Sequence, residues 1–305
     1  MPEITVPNTG IQLHYDEAGD RSNETILLIM GLGVQMIHWP DEFIEALVER
    51  GHHVVRFDNR DIGLSEKMGD AKPPSLPLHI LRARIGWLPK VPYSLEAMAA
   101  DAAGLLDALE IDRAHAVGAS MGGMIGQLLA INHGEKLHSL TSIMSTTGDP
   151  KLPAAKRDAM KALTSRPASM EEDVLIEHGM NILRAIGSPG FPRDEERARE
   201  RTRASVQRSV YPKGLPRQLA AIINDGDRTQ RLASVTTPTL VLHGEADPLV
   251  RPAAGEATAK AIPGARLVTI PGWGHDFPLE MVDRLADEIA EHTSQASPKV
   301  RQAAE

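Results

Sequence analysis

The sequence contains no cysteine, which excludes disulfides, thiolate metal sites and cysteine nucleophiles together. Positive charge is also scarce. Lys and Arg number 33 against 41 Asp and Glu, giving a formal net charge of −8. With no basic block, the chain is not expected to bind nucleic acid or an anionic membrane surface. No apolar run is long enough to cross a bilayer. The opening MPEITVPNTG has neither the basic nor the apolar region of a secretory signal. Internal repeats are absent too. These absences lead to the expectation of a soluble, cytoplasmic protein without membrane or nucleic-acid partners; they do not bear on its oligomeric state.

What is present is an alternation. Across 305 residues, 42% of them hydrophobic, short β-branched runs are separated by longer helical patterns. Thr25–Met30, His53–Phe57, Ala114–Ala119, Ser139–Met144, Thr239–His243 and Ala265–Ile270 read as strands. Their near-continuous apolar character is that of parallel strands covered on both faces. IQLHYDEAG, from Ile11, alternates more and predicts an antiparallel edge strand. Helices are predicted from Pro40, from Ser94 as an N-cap, and from Phe277. The fold class expected is α/β, a mostly parallel sheet with helices on both faces.

Between about Asp149 and Ser234 the alternation lapses into several helices rich in Arg, Glu, Ala and Met. The organisation predicted is therefore a core at 1–148, a helical cap at 149–234, a second part of the core at 235–293 and a frayed tail at 294–305. The irregular stretch AKPPSLPLHILRARIGWLPKVP, from Ala71, is a candidate rim for a pocket.

The chemistry centres on AHAVGASMGGMIGQLLAINH, a strand, a sharp turn and a helix. Gly118-Ala119-Ser120-Met121-Gly122 matches the G-x-S-x-G nucleophile elbow in the strand–helix context that the motif requires. Such a turn lifts a hydroxyl clear of the backbone, in front of the unpaired N–H groups of a helix start. It also brings strand and helix too close for side chains at Gly118 and Gly122, and it is expected to strain Ser120. A serine needs a base, and the base needs an orienting acid. Asp247 follows the strand Thr239–His243, and His275 follows the strand Ala265–Ile270. The order Ser, Asp, His is the order that accompanies this elbow. Asp149 also follows a strand and is a rival acid, but the HGEAD context and the chain order favour Asp247.

Taken together, MGLG (Met30 to Gly33), FDNRDIGLS (Phe57 to Ser65), GASMG, HGEADPLV and PGWGH resemble the α/β-hydrolases over nearly the whole chain. MGLG followed by HWPDEF, with the DNRDIGLS loop, resembles the esterase branch that contains aclacinomycin methylesterases. The chain departs from that pattern at Asp61, where the family often has Gly, and at Met30, where it often has His. The resemblance implies Ser120 as nucleophile, His275 as general base and then acid, Asp247 as its orienter, and an oxyanion hole formed by the backbone N–H groups of Leu32 and Met121. Met144 and Trp273 are candidate substrate contacts. The activity implied is cleavage of a small-molecule carboxylic ester through an acyl-enzyme. A lactonase, a carbon–carbon bond hydrolase, a cofactor-free perhydrolase or a non-catalytic ligand binder on the same fold are the alternatives.

No cofactor and no metal are expected. Gly31-Leu32-Gly33 lacks the third glycine of a dinucleotide loop, with Met36 in its place, and no pair of histidines has zinc-protease spacing in a helix. Asp58, Arg60 and Gly63 read as a structural loop network, and Trp39, Trp87 and the cap methionines Met160, Met170 and Met180 as packing residues.

Overall fold

Eight strands form in this computed structural model, which describes residues 2–296 except 70, 73, 74, 76, 77, 80, 83, 84 and 86. They are β1 (Glu3–Thr5), β2 (Gln12–Ala18), β3 (Thr25–Ile29), β4 (His53–Phe57), β5 (Ala114–Ala119), β6 (Leu137–Ile143), β7 (Thr239–Gly244) and β8 (Arg266–Ile270). All belong to one sheet of order β1-β2-β4-β3-β5-β6-β7-β8. The strands from β4 to β8 in that order are parallel, and β2 joins β4 antiparallel. Every residue of β3, β5 and β7 is buried, as their unbroken apolar runs require for strands covered on both faces.

The antiparallel reading of the segment after Ile11 holds, but β2 is not the edge. Three residues of β1 pair beyond it, Ile4 opposite Leu13. A strand of three residues leaves no pattern long enough to detect in the sequence.

Helices cover both faces. Alternate residues of β3 feed two separate cores. Leu27 and Ile29 face one cluster, with α2 (Leu95–Ala108) and α3 (Met121–Asn132). Ile26 and Leu28 face the other, with α1 (Asp41–Glu49) and α10 (Val282–Ala296). Ser94 caps α2 as its sequence suggests, its Oγ accepting from Ala97 N–H at 3.1 Å. The predicted start of the last helix at Phe277 is later in the structure. A short 3-10 turn at Leu279–Met281 precedes α10, because Pro278 fixes an extended backbone before it. Of the tail expected at 294–305, residues up to Ala296 continue α10, and 297–305 lie outside the described residues.

Between β6 and β7 the chain runs through α4 (Arg157–Thr164), α5 (Glu172–Ile186), α6 (Glu195–Arg208), α7 (Gly214–Asp225) and the short α8 (Thr229–Leu232) before α9 (Pro252–Ala261) resumes the core pattern after β7. These inserted helices bury few apolar side chains. Within α4 only Ala159 is buried, and within α6 only Thr202. Part of the stretch read as a pocket rim, 71–92, falls among the residues outside the description. Its described residues Leu81, Ile85 and Trp87 are exposed, so Trp87 is not the packing residue its type suggested.

Candidate active site

The strand order places the site. β3 lies between β4 and β5, so the chain leaves β3 in one direction and returns on its other side. At such a switch point the loops beyond the C-terminal strand ends diverge and leave a crevice. The loop after β3 and the turn after β5 meet there. A Cβ on Gly31 would lie 3.2 Å from Ser120 Cβ and 3.3 Å from the Ala119 carbonyl oxygen.

Ser120 sits at the turn between β5 and α3 with φ 55° and ψ −118°. A non-glycine residue pays on the order of 1–3 kcal/mol for such a conformation, and it persists only where its surroundings impose it. They do so here. A side chain on Gly118 would drive into the Gly122 carbonyl, and one on Gly122 into the Ile29 carbonyl. Ser145 Oγ donates to the Ser120 carbonyl at 2.8 Å, and Ser120 N–H donates to the Ile143 carbonyl at 2.9 Å. The hydroxyl is thereby held at the start of α3, whose first N–H groups have no partner inside the helix. Among the described residues, no backbone carbonyl outside the regular elements accepts from Leu32 N–H or Met121 N–H.

Asp247 and His275 come together from separate strand ends. His275 Nδ1 lies 2.7 Å from Asp247 Oδ2. Asp247 is completely buried and His275 nearly so. The other carboxylate oxygen of Asp247 accepts from Leu249 N–H at 2.8 Å and Val250 N–H at 2.9 Å, which fixes the plane of the carboxylate. A second histidine is close, with His243 Nε2 3.8 Å from Asp247 Oδ2. Burial pushes the His243 imidazole below its usual range, with Asp247 only partly opposing, and its Nε2 bonds the Val250 carbonyl at 2.8 Å. His243 Nε2 is thus engaged by a carbonyl, which leaves the carboxylate to His275. Among the described residues no hydrogen bond joins Ser120 Oγ to His275. Contacts of this kind are often long before substrate arrives.

Asp149 does not reach His275. Its Oδ1 accepts from Lys151 N–H at 2.8 Å, as an Asx turn does. Met144 and Trp273, expected as substrate contacts, are both buried in the cluster that holds Trp39 and Phe43. Met144 has φ 43° at the end of β6, and Trp273 Nε1 donates to the Asp276 carbonyl at 2.8 Å. Among the described residues, no group of three or more His, Cys, Asp or Glu is arranged to hold a metal ion, and no helix is long and apolar enough to cross a membrane.

The partners in two sets of contacts escaped sequence reasoning. The first holds the His275 loop against the residues that end α5. His275 N–H donates to the Ile186 carbonyl at 2.8 Å, and Gly190 N–H to the Gly272 carbonyl at 2.9 Å. Ser188 Oγ accepts from Gly274 N–H at 2.8 Å and itself donates to Asp276 Oδ1. The second set holds the loop after β3. Asn59 Nδ2 donates to the Met30 carbonyl at 3.0 Å, Asp58 Oδ1 accepts from Met36 N–H at 2.8 Å, and Gln218 Oε1 accepts from Gly33 N–H at 2.9 Å. Asp58 also pairs with Arg208 at 2.6 Å, and Arg60 with Asp101 at 2.6 Å. The loop of Asp58 and Arg60 is therefore the structural network its sequence suggested. It ties the site to α2 and α6.

Comparison with known proteins places this geometry among relatives. Residues 24–281 match the family described as alpha/beta hydrolase fold. Rhodomycin D methylesterase DnrP of Streptomyces peucetius is 31% identical over 97% of this chain and 100% of that protein. Among solved structures, a thermophilic esterase from Thermogutta terrifontis aligns with a TM-score of 0.71 at 25% identity, covering 97% of this chain and 98% of that one. The enol-lactonase from Burkholderia xenovorans LB400 aligns with a TM-score of 0.69 at 25% identity, covering 96% and 100%.

Proposed function

The chain belongs to the alpha/beta hydrolase fold family, and from that premise we propose that it hydrolyses carboxylic esters with Ser120 as nucleophile, His275 as base and Asp247 as the acid that orients it. The observation that carries this reading is the 2.7 Å bond from His275 Nδ1 to the buried Asp247 carboxylate, at strand ends that share an edge with the strained Ser120. A proton held at Nδ1 leaves Nε2 as the acceptor for the serine proton.

In this scheme Ser120 Oγ attacks the ester carbonyl while His275 Nε2 takes its proton. The negative charge that develops on the carbonyl oxygen is met by Leu32 N–H and Met121 N–H; each such donor contributes about 3 kcal/mol to lowering the barrier. Protonated His275 then gives its proton to the departing alkoxide, which leaves as the alcohol. Water, deprotonated by His275, attacks the acyl-enzyme and frees the acid. The full-length likeness to a rhodomycin D methylesterase favours a methyl ester on a polycyclic body, with α4 to α8 as the cap that selects it. The likeness to an enol-lactonase makes lactones the second substrate class.

The test compares wild type with Ser120→Ala on p-nitrophenyl butyrate, on methyl esters and on lactones. Loss of all turnover in the variant is expected, with covalent labelling of wild type by a fluorophosphonate probe at Ser120. Undiminished hydrolysis by Ser120→Ala would reject the mechanism. Failure of wild type to label or turn over any ester would favour a ligand binder.

A further inference from the structure

Gln218 is wholly buried on α7, one of the inserted helices. Both ends of its carboxamide are used. Oε1 accepts from Gly33 N–H at 2.9 Å, and Nε2 donates to the Arg60 carbonyl at 2.9 Å. The Gly33 N–H belongs to the peptide plane that joins Leu32 to Gly33, so holding it fixes the backbone on the C-terminal side of Leu32. The same loop is closed by Val34 N–H on the Gly31 carbonyl at 3.4 Å. Of the N–H groups of Leu32, Gly33 and Val34, that of Leu32 alone has no hydrogen-bond partner among the described residues. Gly33 has φ 70°, and a Cβ there would lie 2.9 Å from Leu215 Cδ1 on α7, so the loop rests directly on this helix.

The helix itself is fixed. Arg217, the neighbour of Gln218, forms two 2.8 Å bonds to Asp61, and its guanidinium also reaches Tyr211 Oη at 2.7 Å and the Ala71 carbonyl. Neither Arg217 nor Asp61 has any exposed surface. Gly214 at the start of α7 packs against the Asp61 carbonyl so closely that a side chain would not fit. The carbonyl that Gln218 holds belongs to Arg60, in the same loop as Asp61. One rigid joint therefore sets α7, the Asp58–Gly63 loop and the loop after β3 relative to one another.

We infer that Gln218 is a positioning residue that aims the Leu32 N–H at the reacting carbonyl oxygen, so that the oxyanion hole is complete only while α7 is docked on the core. This rests on the ester-hydrolase reading above. It gives the inserted helices a part in the chemical step, through the backbone of the loop they carry, beyond shaping a pocket. A carboxamide is suited to the position because it both accepts from an N–H and donates to a carbonyl. An ionised carboxylate can only accept, and a thioether does neither effectively.

The test uses the full chain and measures kcat and KM separately on p-nitrophenyl butyrate for Gln218→Met, which keeps the side-chain length, and for Gln218→Glu. In Gln218→Met kcat should fall roughly 10- to 100-fold, less than the ~10²–10³ that follows outright loss of a donor. KM should stay within about twofold, since the ground-state carbonyl makes little use of this donor. Gln218→Glu should fall less, because Oε still accepts from Gly33. The pH–rate profile should keep its shape in both variants, and fluorophosphonate labelling of Ser120 should slow in step with kcat. Wild-type kcat in the folded Met variant would overturn the inference, as would a rise in KM alone or a lowered melting temperature with kcat intact. If the Met variant does not fold, Gln218→Leu, which likewise removes the bond to Gly33 N–H, decides by the same criteria. Ser120→Ala separates the two levels. Turnover surviving in that variant removes the underlying mechanism and this inference with it, whereas its loss combined with a normal Gln218→Met rejects only the role of Gln218.

Discussion

Ser120 and Gln218 stand on two sides of one site, and their positions are enforced in opposite ways. At Ser120 the constraint is local and made of backbone. Gly118 and Gly122, two residues to either side, leave no room for a side chain, and β5 runs straight into α3. At Gln218 the constraint is remote and made of side chains. Its partner Gly33 is 185 residues away, and the Arg217–Asp61 pair beside it spans 156. The core around Ser120 buries whole strands of apolar residues. The inserted helices bury fewer apolar side chains, with Ala221 and Leu232 reaching the core cluster, and are otherwise joined to the core by paired charges and single amides. A core held by close backbone packing has few ways to yield, whereas a segment held by discrete polar joints can lose one joint and keep its helices.

The largest difference should come from the same substitution made in each region. In Gly122→Ala the added Cβ meets the Ile29 carbonyl and lies 2.9 Å from that of Met30, and neither backbone atom can move without displacing β3. A cost of about 4 kcal/mol or more is expected, within the range reserved for severe core strain, together with loss of esterase activity. In Gly179→Ala, on α5, the added Cβ meets only the Thr202 methyl at 2.7 Å. There the ~1 kcal/mol gained in helix propensity opposes the push on Thr202, and the net change should stay within about 1 kcal/mol. Urea unfolding of both variants measures this. Equal costs would show that the inserted helices are packed as tightly as the core.

The next effect tests the joint itself. Arg217→Met leaves the buried Asp61 carboxylate without its cation, and breaking such a pair from one side costs about 3–5 kcal/mol. Asp61 also has φ 70°, a conformation that favours glycine. The double variant Asp61→Gly, Arg217→Met removes the stranded charge and the backbone strain together, and should recover most of the loss in melting temperature. Failure of the second change to restore stability would mean that the pair does not act as a unit.

These two regions were not equally legible in the sequence. The strands β3 to β8, the elbow, and the order Ser120, Asp247, His275 could be read because each depends on neighbours close in the chain. Apolar runs make buried strands, and glycines flank a sharp turn. The inserted helices could be located as a lapse in the strand–helix alternation, yet the residues that join them to the site could not. Gln218, Ser188 and Arg208 are single polar residues on or beside amphipathic helices, with partners far away in the chain, and no local pattern distinguishes them from residues that face water. One trace was visible. Asp61, standing where glycine is common in resembling proteins, is explained by Arg217. β1 and the interior place of β2 were missed because three residues carry too little periodicity, and Met144 and Trp273, read as substrate contacts, lie in the core cluster because a large residue beside such a loop can equally close the core beneath it.

The last expected effect separates a third place, the N-terminal ends of the strands, opposite Ser120. His115 in β5 is completely buried, its ring 5.2 Å from that of His138 and 6.2 Å from that of His52. Burial is the main cause that lowers His115 to about 4, opposed by Glu24 and reinforced by His138 and His52. His292 on α10 is lowered to about 4, again chiefly by burial, with the Pro238 and Leu140 backbone and Glu291 opposing and Arg266 adding to it. The unfolded chain takes up these protons near pH 6.5, and the folded protein only near 4. Between those values the unfolded state binds more protons, so stability is complete above about 6.5 and declines as the pH falls toward 4, by at most about 3 kcal/mol for each histidine. Urea midpoints at pH 7 and pH 5 should differ in that direction, and His115→Gln with His292→Gln should reduce the difference, leaving the share of His38, which burial and Arg201 also lower to about 4. Acid should therefore loosen the sheet from this end. At pH 5, hydrogen exchange should lose protection first in the opening residues of β5 and β6, with α7 still protected. Loss at α7 before the strands would mean that the polar joints of the inserted helices, and not the buried imidazoles, are the acid-sensitive part of the molecule.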